Sequence, residues 1–143
     1  MIRKATLNDV DFIHTMSKEN LDSTFTKETL KSYIETDQTY HVFCIEKTEL
    51  IGYIIVWESA TYGQIIDLVI QPNYQNKGYG QKLLTYAIDY FIKIGVNIIS
   101  LEVKVSNAHA IKLYEKAGFK KDHVIKNYYQ TEDGYFYVRR VDV

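Results

Sequence analysis

The segment that most constrains this chain runs from Gly63 to Ile92, where the apolar residues change period around two glycines. Gly63–Ile70 reads as a strand closed by Pro72-Asn73, and Gly78-Tyr79-Gly80 stands between it and a helix. In that helix Leu83, Leu84, Ala87, Ile88, Phe91 and Ile92 share one buried face, which ends near Gly95. A strand feeding a strongly amphipathic helix through a glycine loop calls for a sheet with helices packed on it, an α/β fold.

The remaining pattern agrees. Ile2–Ala5 predicts a short first strand. Thr6-Leu7-Asn8-Asp9 has the form of a helix start, with aspartate where the longer Glu or Gln is usual. Leu7, Val10, Phe12, Ile13 and Met16 follow at helical spacing and predict a helix to about Asn20; Leu30, Tyr33 and Ile34 mark a second from Thr26 to about Thr36. Tyr40–Glu46 and Leu50–Glu58 read as a hairpin through Lys47-Thr48-Glu49. Ile98–Val105 alternates, with Leu101, Val103 and Val105 on one face and Ser100, Glu102 and Lys104 on the other. Ala108–Ala117 predicts a short helix stopped by Gly118. Phe119–Tyr129 and Tyr135–Val141 predict a last strand pair around Thr131-Glu132-Asp133-Gly134, where Asp-Gly signals a turn. The expected order is β-α-α-β-β-β-α-β-α-β-β, one domain over residues 1–143.

Composition narrows the function. The chain has 17 Lys and Arg against 18 Asp and Glu, so no basic excess exists to neutralise a nucleic-acid backbone. Its single cysteine, Cys44, excludes a disulfide framework and a multi-cysteine zinc site, and in a β run it reads as a small buried hydrophobe. The first residues lack the apolar stretch of a signal peptide, and the apolar runs are strand-length, short of the ~20 residues of a membrane span. The expectation is a cytoplasmic protein that binds neither nucleic acid nor membrane. His14, His41, His109 and His123 lack metal-ligand spacing, so no metal is expected, and no G-x-S-x-G elbow suggests a hydrolase.

Gln75-Asn76-Lys77-Gly78-Tyr79-Gly80 occupies the strand-to-helix junction, where glycines can turn backbone N–H groups inward and the helix adds its positive dipole end. The dinucleotide fingerprint is incomplete, since Leu83 stands where its third glycine would be, and the P-loop Lys-Ser/Thr is absent. Locally, an anion cradle and a plain helix start with turn glycines both remain open.

The longer string from Val69 to Gly80 resembles the acetyl-CoA-binding motif of the GNAT superfamily of N-acyltransferases, written Q/R-x-x-G-x-G/A. The string from Leu101 to Phe119, with Ser106-Asn107-Ala108, Leu113-Tyr114-Glu115 and Gly118-Phe119, resembles the superfamily's second signature, in the same order and separation. Asn127-Tyr128-Tyr129 before the Asp133-Gly134 turn further resembles the RimI-type ribosomal-protein alanine N-acetyltransferases. The likeness covers residues from Ile51 to the end.

The resemblance implies a single GNAT fold whose central sheet parts at the strand Gly63–Ile70 to admit acetyl-CoA. Backbone groups of Leu68, Val69 and Ile70 would pair with the pantetheine arm, the Val69 N–H facing the thioester oxygen. The loop of Asn76, Lys77, Gly78, Tyr79, Gly80 and Gln81 would take the pyrophosphate, and Asn107 would hydrogen-bond the arm. Glu102 matches the proposed general base and Tyr114 the general acid; read without the resemblance, they are a solvated strand carboxylate and an amphipathic core tyrosine. Asp67, expected to share a face with Ile65 and Val69, points toward the acceptor side, where it could hold or deprotonate the amine. Tyr128 and Tyr129 could wall a peptide slot.

The implied reaction is direct acetyl transfer to a primary amine in a ternary complex, with no acetyl-enzyme. The preferred acceptor is a protein N-terminus such as that of a ribosomal protein. A small amine (a polyamine, an aminoglycoside or an amino acid) and a non-catalytic acyl-CoA sensor are the alternatives. One departure concerns the acceptor side. RimI-type enzymes commonly carry Pro-Trp before the second helix, where this chain has Asp22-Ser23-Thr24-Phe25-Thr26.

Overall fold

The computed structural model describes residues 1–20 and 25–141. The strands are β1 (Ile2–Lys4), β2 (Tyr40–Glu46), β3 (Leu50–Ser59), β4 (Tyr62–Ile70), β5 (Ile98–Lys104), β6 (Lys120–Ile125) and β7 (Gly134–Arg140). The helices are α1 (Val10–Asn20), α2 (Lys27–Glu35), α3 (Tyr79–Lys93) and α4 (Ala108–Lys116). The strands form one sheet in the order β1-β2-β3-β4-β5-β7-β6, and only β4 and β5 run parallel. That parallel pair requires a crossover, and α3 supplies it. The α/β fold with four helices expected from the sequence is the one observed among the described residues.

Two apolar clusters sandwich the sheet. On one face Leu83, Leu84, Ala87, Ile88 and Phe91 of α3 pack on Phe43, Ile54 and Val56, and Tyr114 of α4 and Phe119 join them. On the other, Val10, Ile13 and Met16 of α1 and Leu30 of α2 cover Cys44, Tyr53, Ile55 and Val69. Leu7 and Phe12, expected on the buried face of the first helix, are instead exposed. Leu7–Asp9 is a 3-10 turn, and α1 proper starts at Val10. The Asp9 carboxylate accepts from the Thr6 N–H at 2.7 Å and is gripped by both terminal nitrogens of Arg3 at 2.8 and 3.0 Å. Arg3 Nε also donates to Glu46 at 2.8 Å, so one guanidinium ties β1, the start of α1 and β2 together. Thr26 caps α2 by accepting from the Thr29 N–H, a contact typically worth about 1 kcal/mol.

Two further features differ from expectation. The last strand pair is joined by residues 126–133, because Ile125 faces Gly134, and Gly134 begins β7 instead of ending a tight turn. Asn127, Tyr128 and Tyr129 therefore lie in a loop. The Asn127 N–H donates to Asp133 at 2.8 Å, and the Tyr128 and Tyr129 side chains lie so close over Gly134 that a Cβ there would stand 3.1–3.3 Å from them. Most consequentially, the β3–β4 register shifts between Ile55 and Val56: Ile55 faces Asp67 and Val56 faces Ile65, leaving Ile66 as a bulge.

Candidate active site

The bulge positions the site. β4 pairs with β5 only from Tyr62 to Gln64, after which the two strands part while β3 follows β4 to Ile70. One extra residue at Ile66 bends β4 and increases its twist where it leaves β5. It also reverses the side-chain alternation. Ile65 belongs to the cluster under α3, whereas Val69 belongs to the cluster under α1, and Asp67 reaches Tyr53 on that second side. Asp67 and Val69 thus share a face, as expected, and Ile65 does not share it.

Backbone direction follows the register. The Gln71 N–H donates to the Ile51 carbonyl at 2.9 Å, so by alternation Val69 turns its N–H and C=O toward Tyr53 on β3. Leu68 and Ile70 turn theirs toward the parted side. The amide that faces the opening beside Val69 is therefore that of Leu68, which corrects the expected role of the Val69 N–H.

A cleft of about 490 Å³ lies beside the end of β4, bounded by β4, the loop before α3, the start of α3 and α4. Of the residues expected to hold a cofactor, Leu68, Val69, Ile70, Asn76, Gly78, Gly80, Gln81 and Asn107 line it, and so does Tyr114. Lys77 and Tyr79 do not. The Lys77 ammonium lies over the Tyr74 ring, and Tyr79 faces Lys47 and Lys82. Hydrogen bonding to Lys47 keeps the Tyr79 phenol below its ordinary pKa. The loop turns through two left-handed residues, Asn76 at φ 62° and Gly78 at φ 88°. Gly80 is helical, and a Cβ there would stand in the cleft 3.5 Å from Leu113 and 3.7 Å from Ile70.

The first helical bond of α3 runs from the Lys82 N–H to the Gly78 carbonyl, so the N–H groups of Tyr79, Gly80 and Gln81 have no acceptor within the helix. With the dipole behind them they suit an anion. The Gln81 side-chain oxygen is buried in the same wall without a hydrogen-bond partner among the described residues. Asn107 caps α4 with its Oδ1, accepting from the Ala110 N–H at 3.1 Å, which directs its carboxamide nitrogen to other partners. His109, which adjoins the helix start expected at the cofactor, lines the cleft too, and the sequence reading missed Lys112 and Lys116 beside it. Their spacing along α4 puts them on one helical face at the cleft, a signal present in the sequence once α4 is placed.

On the acceptor side the carboxylates lie on adjacent strands. Glu102 of β5 takes two hydrogen bonds from Gln64 Nε2, at 3.2 and 3.0 Å, and burial raises its pKa above the ordinary value against that bond. Asp67 of β4 accepts from the Tyr53 hydroxyl at 2.7 Å, and burial lifts its pKa to about 6. Burial, then the negative charge of Glu102, raises the Tyr128 phenol; Tyr129 rises to about 12 through burial, Tyr128 and Glu102. Both tyrosines pack over Gly134, which faces Lys104 two residues along β5 from Glu102. Tyr114 has a buried ring set edge-on to Phe119, and burial, Asp67 and Tyr129 in that order hold its proton tightly. Tyr114 belongs to the apolar cluster under α3 and lines the cleft. Phe25 packs edge-on against Tyr53, whereas residues 21–24, where Pro-Trp was sought, lie outside the described residues.

Cys44 is fully buried under α1, and its thiol is pushed up to about 12 by burial. It is not among the residues lining the cleft. Among the described residues no group of three or more His, Cys, Asp or Glu could hold a metal ion, and no helix is long and apolar enough to cross a membrane.

A sheet whose strands part beside a cleft, with the unpaired N–H groups of a helix start and a buried tyrosine along it, suits a phosphate-bearing ligand. Residues 8–119 match the acetyltransferase (GNAT) family, and the chain belongs to it. It is an acetyltransferase, and the family's donor is acetyl-CoA. A Bacillus subtilis (strain 168) protein, provisionally named a ribosomal protein bS18-alanine N-acetyltransferase, is 31% identical over 134 residues, 93% of this chain and 88% of that one. The ribosomal protein bS18-alanine N-acetyltransferase of Escherichia coli (strain K12) is 42% identical over 80 residues, 56% of this chain and 52% of that one. The crystal structure of the ribosomal-protein-S18-alanine N-acetyltransferase from Escherichia coli superposes with a TM-score of 0.89 at 25% identity, covering 100% of this chain and 94% of that one.

Proposed function

We propose that this enzyme transfers the acetyl group of acetyl-CoA to the N-terminal α-amino group of a protein, a ribosomal protein first among them, by direct attack in a ternary complex in the cytoplasm. The observation that supports this reading is the packing of Tyr128 and Tyr129 over Gly134, which faces Lys104 two residues along β5 from Glu102, in a chain similar over nearly its whole length to a protein provisionally named a ribosomal protein bS18-alanine N-acetyltransferase.

The roles follow from the geometry. The N–H groups of Tyr79, Gly80 and Gln81 receive the pyrophosphate, with Asn76 and Gly78 shaping the turn and the Lys77 ammonium nearby. The backbones of Leu68 and Ile70, with Val69 anchored to β3 between them, face the pantetheine arm, and the carboxamide nitrogen of Asn107 donates to it. The Leu68 N–H, which also donates to the Asp67 carboxylate, is our candidate donor to the thioester oxygen, where such a donor is typically worth about 3 kcal/mol of barrier. Glu102 removes the proton of the α-ammonium, whose pKa near 8 makes that loss easy. Tyr114 protonates the departing thiolate. Tyr128 and Tyr129 wall the acceptor slot.

The test is acetyl transfer, read by mass spectrometry, to peptides beginning with Ala, Ser, Gly or Met and, in parallel, to polyamines, aminoglycosides and free amino acids. The expected product carries the acetyl group on the peptide α-nitrogen. Transfer to small amines alone would refute the protein acceptor and leave the donor site intact.

A further inference from the structure

Helix α4 forms one wall of the cleft, and that wall is cationic. His109, Lys112 and Lys116 line it at i, i+3 and i+7, along one face of the helix. No Asp or Glu is among the residues lining the cleft, although the chain carries 18 of them. Glu115, the one acid of α4, turns instead to the sheet, where its carboxylate accepts from the Tyr137 hydroxyl at 2.8 Å. Lys112 and Lys116 form no ion pair among the described residues. Two like charges at i and i+4 repel each other, and an anion in the cleft between them removes that repulsion.

The two lysines also flank the part of the cleft where phosphate belongs. Leu113 lies in the same turn of α4 and faces the start of α3: a Cβ at Gly80 would stand 3.5 Å from the Leu113 Cδ2. The N–H groups of Tyr79, Gly80 and Gln81, which have no acceptor within α3, are on that opposite wall. They are short, fixed donors and suit the pyrophosphate. Coenzyme A carries one more phosphate, on the 3′ oxygen of its ribose. Backbone donors committed to the pyrophosphate cannot follow this second anion, whereas a lysine, a point charge on a flexible four-carbon stem, can.

We propose that Lys112 and Lys116, on the α4 wall of the cleft, bind the 3′-phosphate of acetyl-CoA and make the enzyme select coenzyme A over nucleotides that lack this group. The inference rests on the donor side of the acetyl-transfer reading and is independent of the acceptor. His109 extends the same cationic face by one turn toward the Asn107 cap. Lys77, whose ammonium lies over the Tyr74 ring, belongs to the loop before α3 and not to this wall.

The measurement is calorimetry of coenzyme A and of dephospho-coenzyme A, identical except for the 3′-phosphate, with the parent enzyme, the double variant Lys112→Gln/Lys116→Gln, and Lys77→Gln. Both α4 lysines are exposed, so the substitutions leave the core untouched. At low ionic strength we expect the parent to bind coenzyme A at least about tenfold more tightly than the dephospho form, and K112Q/K116Q to bind the two within about twofold of each other. The affinity of the double variant for dephospho-coenzyme A should stay within about twofold of the parent's, and added salt should compress the parent's preference, because exposed charges are screened. K77Q should keep the preference. A double variant that loses affinity for both ligands alike overturns the proposal, since the lysines then serve the pyrophosphate. A parent that binds the two ligands equally overturns it as well, as does a preference lost in K77Q and kept in K112Q/K116Q. A parent that binds neither ligand refutes the donor site itself, whereas transfer to small amines alone would refute the protein acceptor and leave this result standing.

Discussion

Tyr114 is the one fully buried residue of α4, a helix whose other side chains are exposed or half-buried. Its ring packs on Phe119 while its edge lines the cleft. Burial, and then the negative charge of Asp67, hold the phenol well above its usual range, so at neutral pH every molecule carries the proton that the thiolate needs. Tyr114→Phe keeps the ring and removes only that proton. It should lower kcat at least tenfold, about 1.4 kcal/mol of barrier, while calorimetry finds acetyl-CoA affinity within about twofold. Undiminished turnover would remove Tyr114 as the acid.

Among the elements, β4 determines whether a site exists at all, and β3 holds it in place. Gly52 on β3 lies so close to β4 that a Cβ would sit 2.4 Å from the Val69 carbonyl oxygen and 2.6 Å from Ile70 Cδ1. Gly52→Ala must push β4 away where Leu68 and Ile70 face the cleft. Overpacking of this kind costs about 1–3 kcal/mol, to be read as a lower denaturant midpoint, with weakened acetyl-CoA binding beside it. Equal stability and affinity would show that β4 yields without moving the site. The strand itself was legible in the sequence, as were α3, the glycine loop and the Asn107–Phe119 signature, because periodicity and turn residues report local structure. The Ile66 bulge was not. Ile65, Ile66, Leu68, Val69 and Ile70 are all apolar, so one inserted residue leaves no break in the pattern, yet it puts Ile65 and Val69 on opposite faces and gives Leu68 the amide at the opening. The Arg3–Asp9–Glu46 clamp escaped for a different reason. Its partners lie up to 43 residues apart, and charges near strand ends look alike in a sequence.

At the scale of the whole molecule, the same carboxylates that prepare the site oppose the ones that stabilise the fold, and pH separates them. Arg3 holds Asp9 below the ordinary carboxylate range, so Asp9 contributes stability above its unfolded pKa that disappears as pH falls toward its lower folded value. Asp67 has the opposite sign. Its folded pKa of about 6 exceeds the ordinary 3.8, so below 3.8 it is protonated in both states. As pH rises through that interval, the unfolded chain ionises readily and the folded one does not, and stability is lost. The gap corresponds to a penalty on the order of 3 kcal/mol at neutral pH. Asp67→Asn keeps an oxygen that can accept from Tyr53 and abolishes the buried charge. The variant should therefore melt higher than the parent at pH 7.5, by roughly 5 °C or more, and the difference should shrink toward zero near pH 4. Melting curves of both proteins across that range decide it: a variant that melts no higher at pH 7.5 would mean that Asp67 is ionised at no cost.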